Sequence, residues 1–271
     1  MVITKQQKMN CRVVATYFGP RRNHGGSNTN SLTGEDAVRL LTELVEYETT
    51  ISSGVLKDTI IVNHDFGHET GKKFLEEING TKTKDGKIIT VNRDWIEGIG
   101  ESYGSFNHAF KLFKDKYEYW FFNEDDYHLV EPNYFHSMIE QLNKNEKVAF
   151  IGGCRYDQEL DGLNIKSTSN GHDPHAHGGL GCTHRDYLNK VVDTLGHLPH
   201  PQMPMTGEMQ KCIFEARLDA FDSAYAKEWY RNNELNGEVM FTNIFCKLGY
   251  TLQVTNHPKP CVLDVRGNKL T

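Results

Sequence analysis

Five apolar runs, rich in β-branched and aromatic residues, punctuate the first half of the chain. They are residues 11–18 (CRVVATYF), 59–63 (TIIVN), 87–92 (KIITVN), 118–122 (EYWFF) and 147–152 (KVAFIG). Their continuity, with few alternating polar positions, predicts strands covered on both faces, as in a parallel sheet. Helical periods lie between them. Thr33 and Asp36 form a capping-box-like start, and Val38, Leu41 and Val45 then mark one face. Phe106, Ala109, Phe110 and Phe113 follow the i, i+3, i+4, i+7 rule, as do Phe135, Met138, Ile139 and Leu142. Pro132 sits where a first-turn proline belongs. Strand–helix alternation predicts right-handed crossovers and a doubly wound α/β sheet.

Beyond Gly152 the texture changes. Residues 155–183 are polar, rich in Gly, His, Asp and Asn, and carry no clear period, so they read as loop. Helical spacing returns at Leu188, Val191, Val192 and Leu195, and again at Phe241, Ile244, Phe245 and Leu248. No Pro/Ser linker separates the two textures. The expectation is a single domain over residues 1–271, with residues 154–271 an extension packed on the sheet of residues 1–153.

Charge narrows the function classes. Thirty Lys and Arg against thirty-six Asp and Glu leave a net charge of −6 over 271 residues. A mildly acidic surface is poorly suited to nucleic acid or anionic membrane, where a basic stripe is expected. No run of ~18 apolar residues appears, so no transmembrane segment is expected. The polar N-terminus lacks the apolar core of a signal peptide, which predicts a soluble, cytoplasmic protein. Six cysteines, none in a C-x-x-C spacing, argue against zinc ribbons and redox dithiols and for free buried thiols in a reducing compartment.

Ligands of such sheets bind beyond the carboxyl ends of the strands. There the apolar run 118–122 leads through Asn123 into Glu124-Asp125-Asp126. Adjacent carboxylates repel unless a cation or solvent screens them. An oxygen-rich cluster of this kind suits Mg²⁺ or Mn²⁺, which take a few carboxylates and leave positions for phosphate oxygens.

The stretch 99–129, a small-residue turn, an aromatic-faced helix and a hydrophobic strand ending in Glu124-Asp125-Asp126, resembles the nucleotide-sugar half of GT-A fold glycosyltransferases. Gly237-Glu238, a helical stretch and Gly249-Tyr250 resemble a second motif of that family's inverting, family-2-like members. The resemblance implies a GT-A type, Rossmann-like mixed sheet flanked by helices, with residues 1–153 holding the nucleotide sugar and 154–271 the acceptor. It implies a Mn²⁺ or Mg²⁺ ion held by Glu124 and Asp126, with His257 as a C-terminal ligand. It also implies Glu238 as general base on an acceptor hydroxyl, although Val239 stands where the family often has Asp. Asp65 is placed against the nucleobase and Thr16 and Tyr17 around it, with Asp125 beside the nucleotide. The expected donor is a UDP-sugar, and the acceptor is a glycan or another hydroxyl compound. One departure is Phe106-Asn107, where relatives usually carry Arg-Asn; Arg93, or Arg21 and Arg22, are the cations left to face the diphosphate.

The histidine-rich stretch 171–177 (GHDPHAH) reads as a loop and not as a second metal site. In the family picture it holds acceptor and sugar ring through Asp173, His177, Gly178 and Gly179. Two rival readings use the same residues. Residues 98–104 (GIGESYG) approximate the glycine loop of an NAD(P)-dependent oxidoreductase, but Arg93 and the bulky Trp95 and Ile96 intervene between strand and glycines. A carbohydrate- or nucleotide-binding module without turnover is the other.

Overall fold

In the strand β1 (Met9–Thr16) every residue after Met9 is buried, Arg12 and Thr16 included. The reason is a helix layer on each face. Cys11, Val13 and Ala15 enter a core shared with Phe106 and Phe110 and with Phe241 and Phe245. Val14 turns the other way, into a core with Leu41, Leu44 and Leu75. The period of two thus sorts one apolar run onto two helix layers.

The computed structural model describes residues 9–18, 21–22, 31–32, 34–64, 67–93, 101–128, 131–153, 159–166, 174–200, 240–257, 261–263 and 269–270. After β1 come β2 (Arg21–Arg22), β3 (Ser31–Leu32), α1 (Gly34–Thr50), β4 (Lys57–His64), α2 (Glu69–Ile78) and β5 (Ile88–Arg93). Then follow α3 (Glu101–Phe113), β6 (Tyr117–Glu124), β7 (Tyr127–His128), α4 (Tyr134–Asn143) and β8 (Val148–Gly153). The remainder comprises β9 (Glu159–Asp161), β10 (Asn164–Lys166), β11 (His177–His184), α5 (Arg185–Leu195), α6 (Met240–Lys247), β12 (Thr251–Val254), β13 (Cys261–Leu263) and β14 (Lys269–Leu270).

One nine-stranded sheet runs β5-β4-β1-β6-β11-β8-β12-β10-β9. β5, β4, β1 and β6 are mutually parallel, and β8 is parallel to β12. β11 lies antiparallel between β6 and β8. The fold is therefore a mixed α/β sheet flanked by helices, and strands from both halves of the chain share it. α3 and α6 contribute to the core on one face, where Phe106 meets Phe122 at 4.9 Å between ring centroids and Phe110 meets Trp120 at 5.0 Å. α1 and α2 cover the other face of β1 and β4, while α4 stacks Phe135 on Phe121 at 3.9 Å.

All five anticipated strands form, each within two residues of its expected limits. Three expectations are corrected. The stretch read as loop contains β9, β10 and β11. Gly181 of β11 could not carry a side chain, because a Cβ there would come within 2.1 Å of the Phe150 ring. That contact removes the β-branched signature from a central strand. On α1, Val38, Leu41 and Val45 do pack into one core, but the fully buried apolar positions are Ala37, Leu40, Leu41 and Leu44, and Thr33 lies outside the described residues. Pro132 precedes the N-cap Asn133 of α4, which sits at φ 60°, so it lies ahead of the first turn. Cys11 and Cys182 are buried free thiols, and burial pushes both well above the ordinary thiol range.

Candidate functional site

Register sets which strand ends meet. Ala15 lies opposite Glu124, Thr16 opposite Asn63, and His64 opposite Arg93. The carboxyl ends of β5, β4, β1 and β6 therefore emerge along one edge and carry, in order, Arg93, His64, Thr16 with Tyr17, and Glu124. This is where a parallel sheet binds ligands.

The acidic triplet turns over this edge. β6 ends at Glu124, Asp125 and Asp126 form the turn, and the chain returns as β7. Asp125 is fully buried, and the Thr16 hydroxyl donates to its Oδ2 at 2.6 Å. The Ser102 hydroxyl, in the first turn of α3, donates to Glu124 Oε1 at 2.6 Å. Both lengths lie within the ordinary range of an O–H···O hydrogen bond. Asp126 is half-buried at the far side of the turn. β7 is braced by β13, with Tyr127 opposite Val262 and His128 opposite Cys261, so a segment near the end of the chain holds the exit of the turn.

Behind the turn lies a buried ionic group. Arg12 is 2 % exposed; its Nη1 donates to Glu48 Oε1 at 2.7 Å, and Lys57 Nζ bonds Glu48 Oε2. Burial pushes the Glu48 carboxyl up, but Lys57 and Arg12 pull it down further, to about 2.

At the other end of the row, Arg93 is buried against α3. Its Nε donates to Ser105 Oγ at 3.1 Å. A Cβ on Gly104 would stand 2.8 Å from its guanidinium, so this glycine is what lets Arg93 lie across the helix. His197 and His200, following α5, bring their ring centroids to 5.2 Å. Burial holds His200 down to about 4, with the charges of His197, Lys111 and Arg93 adding to the effect. Tyr17 and the fully buried His64 meet at 5.9 Å between centroids in the gap between Arg93 and the acids.

The anticipated site residues fall into three groups. Thr16, Tyr17, Arg93, Glu124, Asp125 and Asp126 come together along the edge. His177, Gly178 and Gly179 open β11, with a register irregularity between His177 and Gly181; Leu180 pairs with Asn123, which carries this glycine pair toward Glu124. His257 lies elsewhere, edge-on to Tyr134 at 5.1 Å. No group of three or more His, Cys, Asp or Glu side chains among the described residues could hold a metal ion, so Glu124, Asp126 and His257 do not form a ligand triad there. Asp65, Asp173 and Glu238 lie outside the described residues, as do Gly98, Ile99 and Gly100 of the glycine loop. That loop does not follow its strand directly: β5 ends at Arg93 and α3 starts at Glu101. Gly104 packs under Arg93 instead of approaching a pyrophosphate. Phe106, which stands where relatives carry the cation, is buried in the core, and Asn107 beside it accepts from the Leu198 N–H at 3.0 Å and fastens the segment after α5 to α3.

Ser102, Arg12 and His64 were not singled out as site residues in the sequence. Arg12 left a usable sign, since a charge inside an apolar strand requires buried partners. Ser102 left none, because its role depends on where α3 begins relative to Glu124.

No family model matches the chain, and no curated protein sequence matches it. Similar solved structures include a CMP:2-keto-3-deoxy-manno-octonic acid synthetase complexed with CTP, at 10 % identity and TM-score 0.47, covering 91 % of this chain and 88 % of that one. Another is a mannosyltransferase from Pyrobaculum calidifontis in complex with GDP-Man and Mn²⁺, at 13 % identity and TM-score 0.41, covering 69 % of this chain and 47 % of that one. A third is the 4-diphosphocytidyl-2C-methyl-D-erythritol synthase of Anaerococcus prevotii, at 12 % identity and TM-score 0.38, covering 89 % and 94 %.

Proposed function

We propose that this protein is a divalent-cation-dependent glycosyltransferase that moves a sugar from a UDP-sugar to an acceptor hydroxyl with inversion. The observation that carries the reading is the acidic turn at the carboxyl edge of four parallel strands, with two of its carboxylates already oriented by the hydroxyls of Thr16 and Ser102. Mg²⁺ and Mn²⁺ sites of this kind use one or two carboxylates and complete their shell with water and substrate phosphates, so they need no preformed protein cage. Glu124 and Asp126 fit that donor set, with Asp125 bracing the turn from below. When bound, the cation supplies neutralisation of the charge that develops on the departing diphosphate.

The remaining roles belong to the chain itself. Ser102 fixes the carboxylate plane of Glu124. Tyr17, His64 and Asp65 frame the nucleobase, and Arg93 offers the fixed cation of the β5 end. Gly178 and Gly179, with His177 and Asp173, hold the sugar and acceptor side in the half formed by residues 154–271. Glu238 takes the acceptor proton as the hydroxyl attacks the anomeric carbon.

Two measurements test this. Calorimetric titration with UDP is expected to show binding in excess Mn²⁺ and at least ~10-fold weaker binding in EDTA or in Asp126→Ala, the size of losing one tenfold step of ~1.4 kcal/mol. Equal affinity in both buffers would sink the cation reading, and binding of NADH in place of UDP would favour an oxidoreductase. Glu238→Gln keeps the side-chain shape but removes its basicity. Transfer should fall at least ~10²-fold with donor affinity unchanged. Near-normal transfer removes the base from Glu238 and passes the role to Asp173 or Glu208. UDP binding without any release of nucleotide diphosphate from a panel of sugar donors would mark a binding module.

A further inference from the structure

The buried ionic group behind the acidic turn is unevenly charged. It contains two cations, Arg12 and Lys57, and one anion, Glu48, each no more than 6 % exposed. Both cations bond Glu48, but a single positive charge balances it and Lys57 already ties α1 to β4 through it. What no other side chain in this group supplies is the rest of the guanidinium's bonding. Arg12 Nε donates to Asn123 Oδ1 at 3.1 Å, and Nη2 donates to the carbonyl oxygen of Tyr127 at 3.1 Å. Asn123 is the residue before the triplet and Tyr127 the residue after it. The planar fork therefore grips both feet of the turn that carries Glu124, Asp125 and Asp126, while Nη1 anchors it to Glu48. The Phe135 ring, stacked on Phe121, lies beneath Arg12 and Lys57 at 5.9 and 5.6 Å from its centroid and gives the group an apolar floor.

We propose that Arg12 is a positioning residue: it sets the separation of Asn123 and Tyr127 and so aims the carboxylates of Glu124 and Asp126. The assignment rests on the reading of the turn as the cation–diphosphate site, but the grip itself is a property of the chain without ligand. Lysine cannot replace it, because one ammonium does not present three donors in a fixed plane.

The test uses the full chain with Arg12→Lys and, as a second variant that leaves every buried charge in place, Asn123→Leu. Two readouts are taken: hydrogen exchange of peptides covering residues 123–128 without metal, and Mn²⁺ affinity by electron paramagnetic resonance. In Arg12→Lys, exchange over 123–128 should speed up at least ~10-fold while peptides from α5 and β8 stay unchanged, and Mn²⁺ should bind at least ~10-fold more weakly. Asn123→Leu should move both in the same direction by a smaller factor, and it stands as the test if Arg12→Lys does not fold. Wild-type exchange over 123–128 in a folded variant overturns the proposal, as does a loss of protection spread evenly over the whole molecule. Failure of the wild-type protein to bind Mn²⁺, with local exchange still raised in the variants, removes the cation reading and leaves the grip standing.

Discussion

Asp125 has no exposed surface, and its Oδ2 is reached by the Thr16 hydroxyl. A buried acceptor that loses a hydroxyl donor is left with part of its desolvation uncompensated. Thr16→Val, which preserves shape and removes the hydroxyl, should lower stability by ~1–3 kcal/mol. Thr16→Ser should recover most of it, and urea denaturation of the three proteins checks the order. Burial separates the members of the triplet: Asp125 is fully enclosed under the turn, whereas Glu124, which the Ser102 hydroxyl bonds, and Asp126 are half-buried at the edge. The acids are legible in the sequence as candidate chemistry because they are contiguous and follow an apolar run. Which of them is enclosed is not legible there, since that depends on Thr16, which is 109 positions away along the chain.

Glycine and aromatic residues explain most of the difference between expected and observed elements. β11 is written HGGLGCTH, a poor β sequence, yet it occupies the middle of the sheet. The backbone must pass close to Phe150, and a Cβ on Gly181 would meet that ring at 2.1 Å. Gly181→Val is expected to cost at least ~1–3 kcal/mol through overpacking, read as a fall in melting temperature. Gly104→Ala tests a different consequence. Its Cβ would displace the Arg93 guanidinium, a flexible end, so stability should change little while UDP affinity falls. α2 escaped the sequence reading for a related reason. Its N-cap is His68, whose Nδ1 accepts from the Gly71 N–H at 3.1 Å, and not one of the usual capping residues.

Across the whole molecule, Glu48 links a helix, two strands and the site. Its carboxyl lies at about 2, against an ordinary value of 4.5. A carboxyl depressed by folding contributes stability that is complete above the unfolded value and is lost as the pH falls through the folded one. The protein should therefore lose stability between pH 4.5 and about 2. Glu48→Gln leaves Arg12 and Lys57 buried without their anion and should cost ~3–5 kcal/mol at neutral pH. Its stability should also depend less on pH across that acid window, which chemical denaturation at several pH values would reveal. An equal acid dependence in both proteins would assign the acid loss to other carboxyls.

Local physics accounts for what could be read along the chain. Five strands and the helices α1, α3, α4, α5 and α6 announce themselves because an apolar run or a 3.6-residue period is written within a dozen neighbouring positions. An acidic turn after a buried strand is also local, and so is the expectation that chemistry belongs at this edge. Tertiary structure decided the rest. The insertion of β11 against β6, the grip of Arg12 on Asn123 across 111 positions, and the Ser102–Glu124 bond across 22 all depend on strand register and on where helices begin relative to strand ends. Those relations are settled when the two faces of the sheet close-pack, because a shift of one residue would turn every buried side chain of a strand to the opposite face.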